Sequence, residues 1–156
     1  MNILILYDSQ FGNTEKLAMT MAEKLAVGGT VHVVPASAGP PDLAGVDLFL
    51  VGGPTQAHGV SPTLRTLLDQ LPPHSLRNVL AAAFDTRIPG MKLLTGSAAN
   101  GIAHRLEQKG ARVLEPHESF LVVGAEGTLV ATEIERAGTW ALAMREEALE
   151  AMVAAI

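Results

Sequence analysis

The chain has no cysteine, one tryptophan and one tyrosine among its 156 residues. Without cysteine there are no disulfides, thiol nucleophiles, iron–sulfur clusters or cysteine-based zinc sites. Cys-dependent phosphatase and arsenate reductase chemistry is excluded for the same reason. Charge is also scarce, at 17% of residues, with 11 Lys and Arg against 16 Asp and Glu and a net charge of −5. Nucleic acid needs a basic face, so it is not an expected partner. Mild acidity suits docking onto basic protein partners. Long hydrophobic runs are missing too. The first apolar run, Ile3 to Tyr7, is too short for a signal segment, no basic stretch precedes it, and no run is long enough to span a bilayer. The expectation is a cytoplasmic protein with no membrane partner. Hydrophobic residues make up 48% of the chain, which at this length suits one globular domain over residues 1–156.

Strand-like and helix-like segments alternate throughout, the pattern of an α/β fold with a parallel sheet. The continuous apolar run Asn2–Tyr7 predicts a strand buried on both faces. A helix follows over 13–27 and stops at Gly28-Gly29. Thr30–Val34 predicts the second strand, and the Pro- and Gly-rich stretch Ser37–Gly45 a loop with at most a short helix. Asp47–Val51 is the third strand, ending at Gly52-Gly53-Pro54, and Pro62–Gln70 a helix closed by Pro72-Pro73. Asn78–Phe84 is the fourth strand and 97–109 a helix stopped by Gly110. Ser119–Val123 forms the core of the fifth, with Ala111–Leu114 as a preceding piece. The last helix covers 129–153, with a buried stripe at Ile134, Ala137, Ala141, Met144, Ala148 and Met152 and with Trp140 packing at its flank. Five strands joined by right-handed crossovers give the order 2-1-3-4-5, with ligands beyond the carboxyl ends of the strands.

Three loops at those ends are candidate sites. After strand one, Ser9-Gln10-Phe11-Gly12-Asn13-Thr14 leads straight into a helix. Backbone N–H groups, hydroxyls and the positive end of the helix dipole converge there, which suits a phosphate. No Lys or Arg lies in the loop, so neutral donors would hold the anion. The competing reading is an ordinary turn with an N-cap at Asn13. After strand three, Pro54-Thr55-Gln56-Ala57-His58-Gly59 follows two glycines that let backbone approach a ligand. His58 is the one planar side chain in that stretch, and its alternative role is a solvated loop histidine. After strand four comes Phe84-Asp85-Thr86-Arg87. Phe84 ends a strand, where such a residue is more often core than ligand, and Arg87 reads as a cover for a ligand edge, a partner of Asp85 or a surface charge. The histidines His32, His74, His104 and His117 are scattered without metal-ligand spacing, so no metal is expected.

The wording of these loops resembles the flavodoxin family. Ser9–Thr14 is similar to its FMN-phosphate loop, with Phe11 at a position where a third hydroxyl is usual. Gly53-Pro54-Thr55 is similar to its ring-edge loop. Phe84-Asp85-Thr86-Arg87, Ser119–Gly124 and Glu133–Ala141 resemble a branch of flavodoxin-like proteins, and there is no insertion in strand five. The resemblance implies a flavodoxin-like three-layer sandwich with a five-stranded parallel sheet and FMN as cofactor. It implies an electron carrier serving redox partner proteins, with no catalytic residues of its own. FMN-binding residues would come from Ser9–Thr14, Pro54–Gly59 and Phe84–Arg87. The aromatic rings that such proteins place against the flavin are missing from the second and third loops, and the single tyrosine, Tyr7, lies in strand one.

Two alternatives share the scaffold: an FMN-dependent NAD(P)H or quinone reductase, and a binding module without flavin. Oligomeric state is not legible. Other classes lack their signatures. A receiver domain needs an aspartate where Gly52-Gly53 stands, and neither a Walker sequence, a Gly-x-Gly-x-x-Gly after strand one nor a nucleophile elbow is present.

Overall fold

The computed structural model describes residues 1–90, 96–123 and 127–156. Its elements are β1 (Asn2–Tyr7), α1 (Asn13–Leu25), β2 (Thr30–Pro35), a single 3-10 turn (Ala36–Ala38), β3 (Leu48–Gln56), β4 (Gly59–Val60) and α2 (Pro62–Gln70). They continue with β5 (Leu80–Arg87), α3 (Ala98–Gln108), β6 (Arg112–Val113), β7 (Glu118–Val123), β8 (Thr128–Leu129) and α4 (Ala131–Ala154). Gly124, part of the family-like wording in strand five, lies outside the described residues.

The sheet runs β2-β1-β3-β5-β7-β8, with β4 on β3 and β6 on β5. Its long strands therefore keep the order 2-1-3-4-5 in the flavodoxin-like α/β arrangement. The five long strands pair in parallel throughout, as expected. Short β4 and β8 add antiparallel pairs at the ends of β3 and β7.

Alternation along β1 sorts the core into two layers. Ile3, Ile5 and Tyr7 pack with Leu17 and Met21 of α1 and with Ala137, Ala141 and Met144 of α4. Leu4 and Leu6 face the other way, onto Leu64 and Leu68 of α2 and Ile102 and Leu106 of α3. Burying one such side chain contributes about 1.5–3 kcal/mol, which is why the apolar run of β1 specifies a central strand. The stripe on α4 is buried at Ala137, Ala141, Met144 and Ala148. It fails at Met152, 39% exposed, where the helix runs past its last buried residue. Trp140 packs edge-on against Phe84 and Phe120, with ring centroids 5.7 and 6.2 Å away, and its Nε1 donates to the Pro116 carbonyl at 3.0 Å.

Two strands run further than their sequence suggests. β3 does not end at Gly52-Gly53-Pro54 but pairs with β5 through Gly52↔Phe84, Gly53↔Asp85 and Pro54↔Thr86. The pairing of β1 with β3 ends at Gly52, so Pro54 lies beyond it, at a position where a strand tolerates proline. Gly52 is small for the sake of the core rather than a ligand, because a Cβ on it would lie 2.1 Å from the Phe84 ring. Phe84, expected at the strand's end, and Asp85, expected in the loop beyond it, are accordingly strand residues with no exposed surface.

Gly52→Ala is expected to lower stability by about 1–3 kcal/mol through forced displacement of Phe84. A Cβ at Gly59 meets nothing within 4 Å, so Gly59→Ala should stay within about 0.5 kcal/mol of wild type. Urea titration of both variants measures the contrast, and equal stabilities would refute the role assigned to Gly52.

Candidate functional site

A cavity of about 410 Å³ opens at the carboxyl ends of β1, β3, β5 and β7, the usual ligand edge of such sheets. Ser9, Gln10, Phe11, Asn13 and Thr14 form one wall, Pro54 to His58 a second, and Thr86 with Arg87 a third.

The first wall is a tight turn into α1. Gly12 caps the helix at φ 86°, a left-handed conformation that favours glycine. Its N–H donates to Ser9 Oγ at 3.1 Å, which folds the loop back on itself. Among the described residues no side chain caps the helix, so the first N–H groups of α1 have neither an intrahelical partner nor a side-chain one there. Asn13 is not the N-cap. It is the first helical residue, and its Nδ2 donates 2.8 Å across the cavity rim to the Gly127 carbonyl. Thr14 is buried, its hydroxyl 3.3 Å from that of Thr86, so the first and third walls meet at a pair of hydroxyls.

The second wall is a hairpin. Thr55 pairs with Val60 and Gln56 with Gly59, leaving Ala57 and His58 as the turn, with φ 47° and 66°. Positive φ at both central residues is the twist that a two-residue hairpin requires. Gln56 Nε2 donates to Gln10 Oε1 at 2.7 Å, a bridge between the first two walls. On the third wall Arg87 Nη1 donates to the carbonyl of Gly90 at 3.0 Å.

A family model for flavodoxin matches residues 5–140. The chain belongs to the flavodoxin family. No curated protein matches it in sequence. Among solved structures, a flavodoxin from the domain Archaea superposes with a TM-score of 0.78 at 17% identity, covering 95% of this chain and 99% of that one. Oxidised flavodoxin 1 from Bacillus cereus gives 0.77 at 17% identity, covering 94% and 98%. A Fusobacterium nucleatum flavodoxin, solved bound to flavin mononucleotide, gives 0.69 at 14% identity, covering 94% and 98%.

In this member of the family, four expected site residues stand apart from the cavity lining. Gly12 shapes the turn from behind, and Gly59 closes the base of the hairpin. Phe84 and Asp85 are corrections. Phe84 is wholly buried with Trp140 and Phe120, and Asp85 is buried on the α3 side of the sheet, where its Oδ2 accepts the Ala99 N–H at 2.9 Å. Tyr7 is buried in the core as well. Its hydroxyl donates to Glu15 Oε1 at 3.2 Å, and burial, with the nearby Glu15 carboxylate, raises its pKa.

Three lining residues were not foreseen: Ile88, Val122 and Gly127. The available signal was topological. The fifth long strand lies beside the fourth, so its carboxyl end reaches the same edge of the sheet. That strand is held by the start of α4. Glu133 accepts the Leu121 N–H at 2.8 Å and two bonds from Arg136, whose guanidinium also donates to Ser119 O and lies 4.7 Å from the centre of the Phe120 ring. Among the described residues no group of His, Cys, Asp and Glu is placed to hold a metal ion, and no helix is long and apolar enough to cross a membrane.

The hydrogen bonds from Arg136 hold the Glu133 carboxyl below its ordinary pKa, helped by the Leu121 N–H and opposed by burial. The folded state therefore binds this proton less tightly than the unfolded chain. The associated stability is present above the ordinary carboxylate range and is lost as pH falls through the depressed folded value. Glu133→Ala should cost about 1.5–3 kcal/mol at neutral pH. Its deficit should shrink below about pH 4, as denaturation followed across pH will show.

Proposed function

We propose that the protein is an FMN-binding electron carrier, with the flavin phosphate at the Ser9–Thr14 turn and the ring between the Thr55–Gly59 hairpin and Arg87. The observation that carries this reading is the uncapped start of α1, entered through a left-handed glycine and opening on a cavity of about 410 Å³. That size lies within the range of about 300–1,000 Å³ usual for small-ligand sites. Family membership, and the FMN-bound relative of the same fold, support the cofactor. In this reading residues 1–156 form one domain, since helices on both faces share one sheet.

FMN supplies the electron-accepting chemistry when bound. The chain's own groups bind and orient it. The free N–H groups of α1 hold the phosphate through neutral donors and the helix dipole. Asn13, tied to Gly127, and Thr14, paired with Thr86, fix that end of the cavity against the third wall and the last strand. Phe11, 53% exposed on the rim, and His58 are the planar groups available to shield a ring from water. Neither tyrosine nor tryptophan lines the cavity. An aromatic stack contributes about 1 kcal/mol beyond burial, so affinity should fall roughly tenfold or more below that of relatives with two such stacks. Redox partner proteins would approach at this mouth.

Titration of apoprotein tests the assignment. FMN should bind about tenfold or more tightly than riboflavin, which lacks the phosphate. Gly12→Asp, which sets a carboxylate on strained backbone at φ +86°, should abolish that preference. Equal affinities for the two flavins in the wild type would refute the phosphate site.

Arg87 places a cation on the cavity wall. Coulomb attraction then favours added negative charge on a bound flavin. Arg87→Gln should make the flavin reduction potential more negative in a spectroelectrochemical titration. An unchanged potential would place the guanidinium away from the ring. Rapid oxidation of NAD(P)H by the flavin-loaded protein, with quinones as acceptors, would replace the carrier by a reductase.

A further inference from the structure

The cavity's second wall is not held by its own strand alone. Beyond Gly52, β3 has lost β1 as a neighbour, and the hairpin turn carries Ala57 and His58 in a conformation that residues with side chains rarely adopt. Besides the Gln10–Gln56 bridge, the start of α3 holds it. The Ala98 N–H donates to Thr55 Oγ1 at 3.1 Å. Gly96 lies directly beneath the turn, where a Cβ would come within 2.2 Å of the His58 carbonyl oxygen and 2.4 Å of its Cα.

The start of α3 is in turn fixed by Asp85. This carboxylate has no exposed surface. Its Oδ2 accepts both the Ala99 N–H and the Ser97 hydroxyl at 2.9 Å, whereas its Oδ1 has no hydrogen-bond partner among the described residues. Burying a half-satisfied carboxylate is costly, and an ordinary N-cap would serve the helix from its own loop at the surface. Here the cap reaches up from β5, so the helix start is registered against the sheet itself.

We propose that Asp85 is the positioning residue for the ring-side wall: the carboxylate fixes Ser97–Ala99, and these, with Gly96, fix Thr55 and the His58 turn. The flavin arm of the test rests on the function proposed above; the exchange arm does not. Hydrogen exchange of the flavin-free protein should show the amides of 57–60 opening about tenfold more readily in Asp85→Ala, with those of α1 unchanged. FMN and riboflavin should both bind about fivefold to tenfold more weakly to that variant, by the same factor, because the phosphate end is untouched. Asp85→Asn, whose amide oxygen accepts the same two bonds, should restore both readouts. A folded alanine variant with wild-type exchange at the hairpin overturns the proposal, as does an asparagine variant as loose as the alanine one. If Asp85→Ala does not fold, Thr55→Val removes the hairpin's own acceptor and leaves the carboxylate in place. It must then loosen 57–60, and wild-type exchange there overturns the proposal. A wild-type protein that takes up neither flavin refutes the functional reading, and the exchange data still decide the role of Asp85.

Discussion

The Phe84 ring resting on Gly52 is the contact on which the upper half of the molecule depends. It lets β3 and β5 run side by side beyond the point where β1 has stopped. Thr55 and Gln56 are thereby carried above the sheet edge on one strand, and Thr86 and Arg87 on the other. The same ring anchors Trp140 and Phe120, so α4 and β7 take their places around it. Cores are close-packed, and a group here has nowhere to move without a neighbour moving too. The site's geometry is thus set by apolar packing beneath it, with its polar groups arranged on top.

Those polar groups are mostly spent on one another. Ser9 serves the Gly12 turn, Asn13 the Gly127 carbonyl, Thr14 the Thr86 hydroxyl and Gln10 the Gln56 amide. What remains for a ligand is largely backbone N–H at the start of α1. Such donors are fixed in direction and carry no net charge, so an anion held by them is held by geometry and by the helix dipole. A site of this kind discriminates through shape.

Elements with strong local signals were legible in the sequence. The apolar runs of β1, β3 and β7, the stripe on α4 and the glycine-to-helix turn at residues 9–14 each carry their own periodicity or backbone requirement. Strand ends were not. Gly52-Gly53-Pro54 has the composition of a breaker, and only the distant Phe84 turns its small residues into a packing need. For the same reason Asp85 read as a loop residue and proved to be an interior one. Val122 and Gly127 reach the cavity through sheet order, a property no local window contains. The Ala57-His58 turn was hidden because neither residue advertises positive φ as Asn-Gly does.

The hydrogen bond from Asn13 to Gly127 spans 114 positions of chain. A ribosome adding about 5–20 residues per second delivers the second partner roughly 6–23 s after the first. Throughout that interval the turn at residues 9–14 lacks the rim contact that Gly127 supplies. The turn at residues 9–14 is therefore tied down by a contact that can form only after Gly127 has been made, long after the turn's own sequence is in place.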